Sequence, residues 1–219
     1  MGIFLDRRHI IAIGLLLALA QVGAATTPPV KLLKTPTILV LGDSLSAEYG
    51  LPRGRGWVAL LQARLAAQKP NVTVINASIS GDTSSGGASR LPSLLDKHHP
   101  THVIIELGGN DALRGMSLQV TQSNLSQMAE AAKTSGAKVL LVGMQVPPNY
   151  GQDYANRFAA LYSATAKTHK VALVPFLLKG VADVPHAREL FQADRIHPAE
   201  PAQAIMLDNV WPELKKLLP

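Results

Sequence analysis

The chain has 219 residues, 47% apolar and 16% charged, a composition that excludes a disordered chain and leaves room for one substantial core. Its formal charge of +6 comes from scattered basic residues, with no run and no interleaved aromatic stripe. Nucleic-acid binding therefore has no support, whereas transient contact with an anionic membrane surface stays open. The absence of cysteine excludes disulfides, thiolate nucleophiles, zinc–thiolate sites and iron–sulfur clusters together.

Near the start, Arg7 and Arg8 precede an apolar stretch from Ile10 to Ala20, followed by Val22-Gly23-Ala24-Ala25. That stretch is shorter than the ~20 residues a spanning helix needs. A cleaved signal peptide over residues 1–25 is expected, delivering residues 26–219 to the periplasm or the medium with a net charge of +5. An uncleaved N-terminal anchor is the alternative.

After Pro36, short apolar runs rich in β-branched residues alternate with longer amphipathic segments, the rhythm of βαβ units around a parallel sheet. Strands are expected at Thr37 to Leu41, Val72 to Ala77, His102 to Leu107, Lys138 to Gly143 and Val171 to Pro175. Helices are expected at Trp57 to Lys69, Ser117 to Ser135, Asp153 to His169 and Glu200 to Leu217, with Gly136 stopping the second. Five parallel strands between helices make a three-layer α/β/α domain, whose ligands bind at the carboxyl ends of the strands.

Four segments in those loops have chemistry. Gly42-Asp43-Ser44-Leu45-Ser46 follows the first strand and puts a serine on a sharp strand-to-helix turn. Such a turn can raise the hydroxyl above the strand ends and aim the serine's own amide at a developing oxyanion; by itself the tripeptide also reads as a plain turn and cap. Ala77 to Ser84 follows the second strand, where Gly81 can offer a bare N–H while Asp82 or Thr83 caps the next helix. Gly108-Gly109-Asn110-Asp111 follows the third strand; the Asn110 amide is a neutral donor suited to an oxyanion, and the same residues suit a turn. Asp194-Arg195-Ile196-His197 puts a carboxylate three residues before an imidazole, close enough to orient it and to stabilise its protonated form.

The remaining histidines do not compete. His9 belongs to the signal segment, His102 begins a strand, His98, His99 and His169 fall at helix ends, and His186 has no suitable carboxylate nearby. Taken together, the four segments supply a nucleophile, oxyanion donors, a base and an orienting acid. They ask for no metal or other cofactor.

In order and spacing these segments resemble the four blocks of the SGNH, or GDSL, hydrolases. Leu41 to Ala47, Asn76 to Ser84, Glu106 to Gly115 and Asn149-Tyr150-Gly151 look most like the bacterial thioesterase I group, also described as lysophospholipase and arylesterase. The resemblance covers essentially the whole mature chain. It implies a flavodoxin-like fold with Ser44 as nucleophile, His197 as base and Asp194 as its partner. It also implies an oxyanion hole from the Ser44 and Gly81 amides and the Asn110 side chain. The expected activity is hydrolysis of acyl esters, thioesters or lysophospholipids by a monomer. A carbohydrate O-deacetylase on the same fold and a non-catalytic periplasmic lipid-binding protein are the rivals. Two positions depart from the pattern. Glu48 stands where a small residue is usual, either discouraging anionic substrates or facing solvent, and Arg195 stands where glycine is common.

Overall fold

The apolar runs pair into one parallel sheet, seen in a computed structural model that describes residues 35–219. The expected signal peptide, residues 1–25, lies outside the described residues. The strands are β1 (Thr37–Gly42), β2 (Thr73–Asn76), β3 (His102–Glu106), β4 (Lys138–Val142) and β5 (Ala172–Val174), in the spatial order β2-β1-β3-β4-β5. The helices are α1 (Trp57–Gln68), α2 (Ser84–His98), α3 (Gly109–Leu113), α4 (Leu118–Thr134), α5 (Gln152–His169) and α6 (Glu200–Leu217). This is the flavodoxin-like three-layer α/β/α arrangement, and strand order reverses between β1 and β3.

Side chains alternate across each strand, so neighbouring apolar residues serve opposite faces. Ile38, Val40, Ile104 and Leu140 join α1 and α6 through Leu61, Leu65, Met206 and Val210. Leu39, Leu41, Val103 and Ile105 join α2, α4 and α5 through Leu91, Leu125 and Phe158. Burial on both faces explains why β1 and β3 read as unbroken apolar runs.

The helix α2 was not delimited by sequence periodicity, because Gly86, Gly87 and Pro92 are poor helix formers. Packing overrides propensity here: a Cβ at position 87 would overlap Leu107 Cδ1, so the glycine lets α2 lie close against the sheet. Its first turn is capped by Thr83, whose hydroxyl accepts from Gly86 N at 3.3 Å, as expected. Asp82, the other capping candidate, instead pairs with Arg90 at 2.8 Å.

Candidate active site

The turn after β1 lifts Ser44 over the strand ends at the β1/β3 crevice. It does not lead straight into a helix, as the sequence had suggested. Positive φ values at Glu48 (60°), Gly50 (70°) and Gly54 (86°) keep the backbone turning until α1 begins at Trp57. Glu48 is neither turned to a substrate nor left free in solvent: its carboxylate accepts from Gly54 N at 3.0 Å and Gly56 N at 2.7 Å, tying that loop to the start of α1.

Ser44 Oγ lies 2.9 Å from His197 Nε2, and His197 Nδ1 lies 2.7 Å from Asp194 Oδ2. A carboxylate can only accept, so Nδ1 bears the proton and Nε2 is left to accept from the serine hydroxyl. The acid is itself fixed, because Asp194 Oδ1 accepts from Ile196 N at 2.9 Å and His197 N at 3.0 Å. Those backbone bonds, with the bond to the ring behind them, hold the Asp194 carboxyl down at about 2. This group therefore adds stability that is present above about 3.8 and is lost as pH falls through 2. In any ordinary buffer it is a carboxylate.

The loop that holds this pair closes on itself through Gln192 N to His197 O at 2.8 Å and Arg195 N to Gln192 O at 2.9 Å. Arg195 occupies the left-handed region with φ of 59°, a conformation that explains why glycine suits the position and that costs an arginine about 1–2 kcal/mol. Gln192 Nε2 donates to Tyr49 O at 2.8 Å. The Tyr49 ring lies 4.3 Å from the His197 ring, centroid to centroid. Tyr49 had no signal in the sequence beyond being aromatic and close to Ser44.

The expected oxyanion donors also converge. Asn110 Nδ2 is 3.0 Å from Asp43 Oδ2 and 2.9 Å from Asp82 O, so it bridges the residue before Ser44 and the residue after Gly81. Neither the Ser44 N–H nor the Gly81 N–H meets an acceptor among the described residues. Gly81 has φ of +78°, which a glycine adopts without strain. Both protons of the Asn110 amide are engaged at rest. Asp111, its neighbour, is a structural member: fully buried, it accepts from Ser84 N at 2.8 Å and Thr121 Oγ1 at 3.2 Å, joining α2 to α4.

Large apolar side chains stand exposed around these groups: Tyr49, Ile79, Leu113 and Ile196 are each about half exposed, Leu113 at the end of α3 and the other three in loops. Among the described residues no group of three or more His, Cys, Asp or Glu side chains could hold a metal ion.

A model of the GDSL-like Lipase/Acylhydrolase family matches residues 40–205. The chain is 56% identical over 182 residues to Esterase TesA from Pseudomonas aeruginosa, spanning 83% of this chain and 89% of that enzyme. It is 42% identical over 182 residues to Thioesterase 1/protease 1/lysophospholipase L1 from Escherichia coli K12, spanning 83% of this chain and 85% of that one. The crystal structure of the psychrotrophic esterase EstA from a Pseudoalteromonas species, inhibited by monoethylphosphonate, superposes with a TM-score of 0.77. It is 39% identical, covering 82% of this chain and 97% of that one.

Proposed function

Since the chain belongs to the GDSL-like lipase/acylhydrolase family and is an ester-hydrolysing enzyme, we propose that it works through an acyl-enzyme on Ser44. The observation that supports this best is the unbroken relay from Asp194 through His197 to Ser44. Ser44 Oγ adds to the acyl carbonyl while His197 Nε2 takes its proton; the tetrahedral intermediate then expels an alcohol or thiol, which takes that proton from the imidazolium. Water attacks the acyl-enzyme with His197 again as base, and collapse returns the proton to Ser44.

The Ser44 and Gly81 amides and Asn110 Nδ2 receive the oxyanion. Asn110 is paired in the resting site, so its donation is selective for the transition state: the developing oxyanion, a charged acceptor, competes with the neutral Asp82 carbonyl for one amide proton. Because that exchange offsets part of the gain, Asn110→Ala is expected to lower kcat by about 10²-fold, at the low end for an oxyanion donor, with little change in KM. Steady-state kinetics on folded variant check this; a change confined to KM would assign Asn110 to substrate binding.

The substrates are acyl esters, thioesters or lysophospholipids, taken by a monomer without a cofactor. The exposed Ile79, Leu113 and Ile196 favour an acyl chain over an acetylated sugar. A kcat/KM series across acyl length, run with oxygen and sulfur leaving groups, tests the assignment against an acetyl sugar. Activity that rises from acetyl to medium chains supports it, and preference for the acetyl sugar overturns it. Export rests on residues 1–25, and a mature chain beginning near Ala25 or Thr26, read by N-terminal sequencing of periplasmic or secreted protein, is the expected result.

A further inference from the structure

Acyl transfer as described leaves one buried acid without a part. Glu106 closes β3 opposite Gly42 of β1 and is 3% exposed. Its Oε2 accepts from the Ser46 hydroxyl at 2.7 Å and from Asp43 N at 3.4 Å. Ser46 Oγ accepts in turn from the Trp57 indole N–H at 3.2 Å, at the first residue of α1. A Cβ at position 42 would stand 2.8 Å from Glu106 Oε2, so the glycine there makes the space that the carboxyl fills.

Three successive amides at the start of the Ser44 turn are divided among these groups. Asp43 N points to Glu106, and Leu45 N donates to Asp43 Oδ1 at 3.0 Å. The Ser44 N–H between them stays without an acceptor among the described residues. Peptide units are planar and have few free torsions, so holding the amides on either side limits where the middle one can point. The second Asp43 oxygen holds Asn110, so both of these donors hang on the same small network.

We propose that Glu106 is a positioning residue for the oxyanion hole: from beneath the turn it grips Asp43 N and Ser46 Oγ so that the Ser44 N–H faces the carbonyl oxygen under attack. This rests on the acyl-transfer reading. Complete burial, with the Asp43 charge adding to it, raises the Glu106 carboxyl well above the ordinary range, so it serves as a neutral acid. Asp43 is itself pushed up to about 6 by burial, against the opposing Leu45 N–H bond. The other ionisable groups facing this pair are His197 and Asp82 toward Asp43 and, from α5, Tyr162, whose hydroxyl donates to Leu107 O at 3.0 Å. A second carboxylate here would repel both Asp43 and the oxyanion.

The test compares Glu106→Gln, Glu106→Ala and Ser46→Ala on a small soluble ester, with kcat and KM measured separately and folded protein quantified by circular dichroism. Glutamine can accept the same two bonds without charge, so Glu106→Gln should keep kcat within a few-fold. Glu106→Ala should lose roughly 10- to 100-fold in kcat with KM nearly unchanged, and Ser46→Ala a smaller part of that. Stability supplies a second readout. Above the ordinary value of 4.5 the unfolded chain releases the Glu106 proton while the native chain keeps it, so the parent loses stability relative to Glu106→Gln as pH rises. Glu106→Gln as impaired as Glu106→Ala, or Ser46→Ala and folded Glu106→Ala with unchanged kcat, would overturn the proposal. Should Glu106→Ala not fold, the glutamine and Ser46 variants decide. A Ser44→Ala control separates the two readings: its full activity would sink acyl transfer itself, whereas its inactivity beside unimpaired Glu106 variants would sink only the positioning role.

Discussion

Ser44→Ala is expected to lower kcat by about 10⁶-fold, the largest effect of any single change. In the proposed mechanism the hydroxyl is the only group in the relay that forms a bond to the acyl carbon, and His197, 2.9 Å away, would have no nucleophile to deprotonate without it. In triads of this kind, removal of the nucleophile alone costs about as much as removal of the whole relay, because the members act as a unit. The residual rate should come from the oxyanion donors and substrate binding. KM of the variant should approach the dissociation constant of the substrate, since no acyl-enzyme accumulates. Single-turnover kinetics with a chromogenic ester check the result, and the burst of released alcohol or thiol should vanish with the nucleophile.

The second largest effect belongs to Asp194→Asn, with a loss in kcat approaching about 10⁴-fold. Asparagine can turn its amide nitrogen toward His197 Nδ1. The ring would then carry its proton on Nε2, the atom that must accept from Ser44. The change also removes the negative charge that, in the proposed mechanism, stabilises the imidazolium formed during attack. The acid limb of kcat/KM reports protonation of the free base, so losing the Asp194 charge should move that limb to lower pH. Asp194 does not itself shape the limb, because its carboxyl is held at about 2 by the His197 and Ile196 amides. An unmoved limb in the variant would mean that the acid orients the loop without acting on the base.

The strand pattern was plainly legible because parallel strands covered on both faces become unbroken apolar runs. Each of the five was placed to within about two residues. Ser44, Asp194 and His197 were legible for a different reason: Ser44 stands in a glycine-containing turn just after the first apolar run, and Asp194 stands three residues before His197 in the last loop before the C-terminal helix. The structure brings them together with Gly81 and Asn110 at the strand-order reversal. Local propensity misled at α2, where the glycines that weaken the helical pattern are the ones that let it pack. It could not foresee α3, only five residues long and begun by Gly108 in the left-handed region.

Contacts between distant loops were beyond the sequence. Nothing in Glu48 foretold that its carboxylate would fold back on Gly54 and Gly56, since the bond depends on a run of positive φ values. The pairing of Asn110 with Asp82 O likewise needs β2 and β3 to be set on either side of β1. Glu106 is the one acidic residue of β3, which it shares with His102 and three apolar side chains. A charge in such a run is rarely tolerated without a partner. The contacts of Glu106 with Asp43 N and Ser46 Oγ were not legible in advance, since they need β1 and β3 paired in register.

The central claim is that Ser44 is the covalent nucleophile, and an alkyl fluorophosphonate tests it most directly. Such a reagent is attacked by the activated hydroxyl, loses fluoride and leaves a stable phosphonyl ester that marks the attacking atom. Intact-mass measurement should find one adduct per chain, with activity falling in proportion to labelling, and peptide mass spectrometry should locate it on Ser44. An adduct chiefly on Ser46, Ser80 or Ser84, or full labelling of the Ser44→Ala variant, would contradict the account.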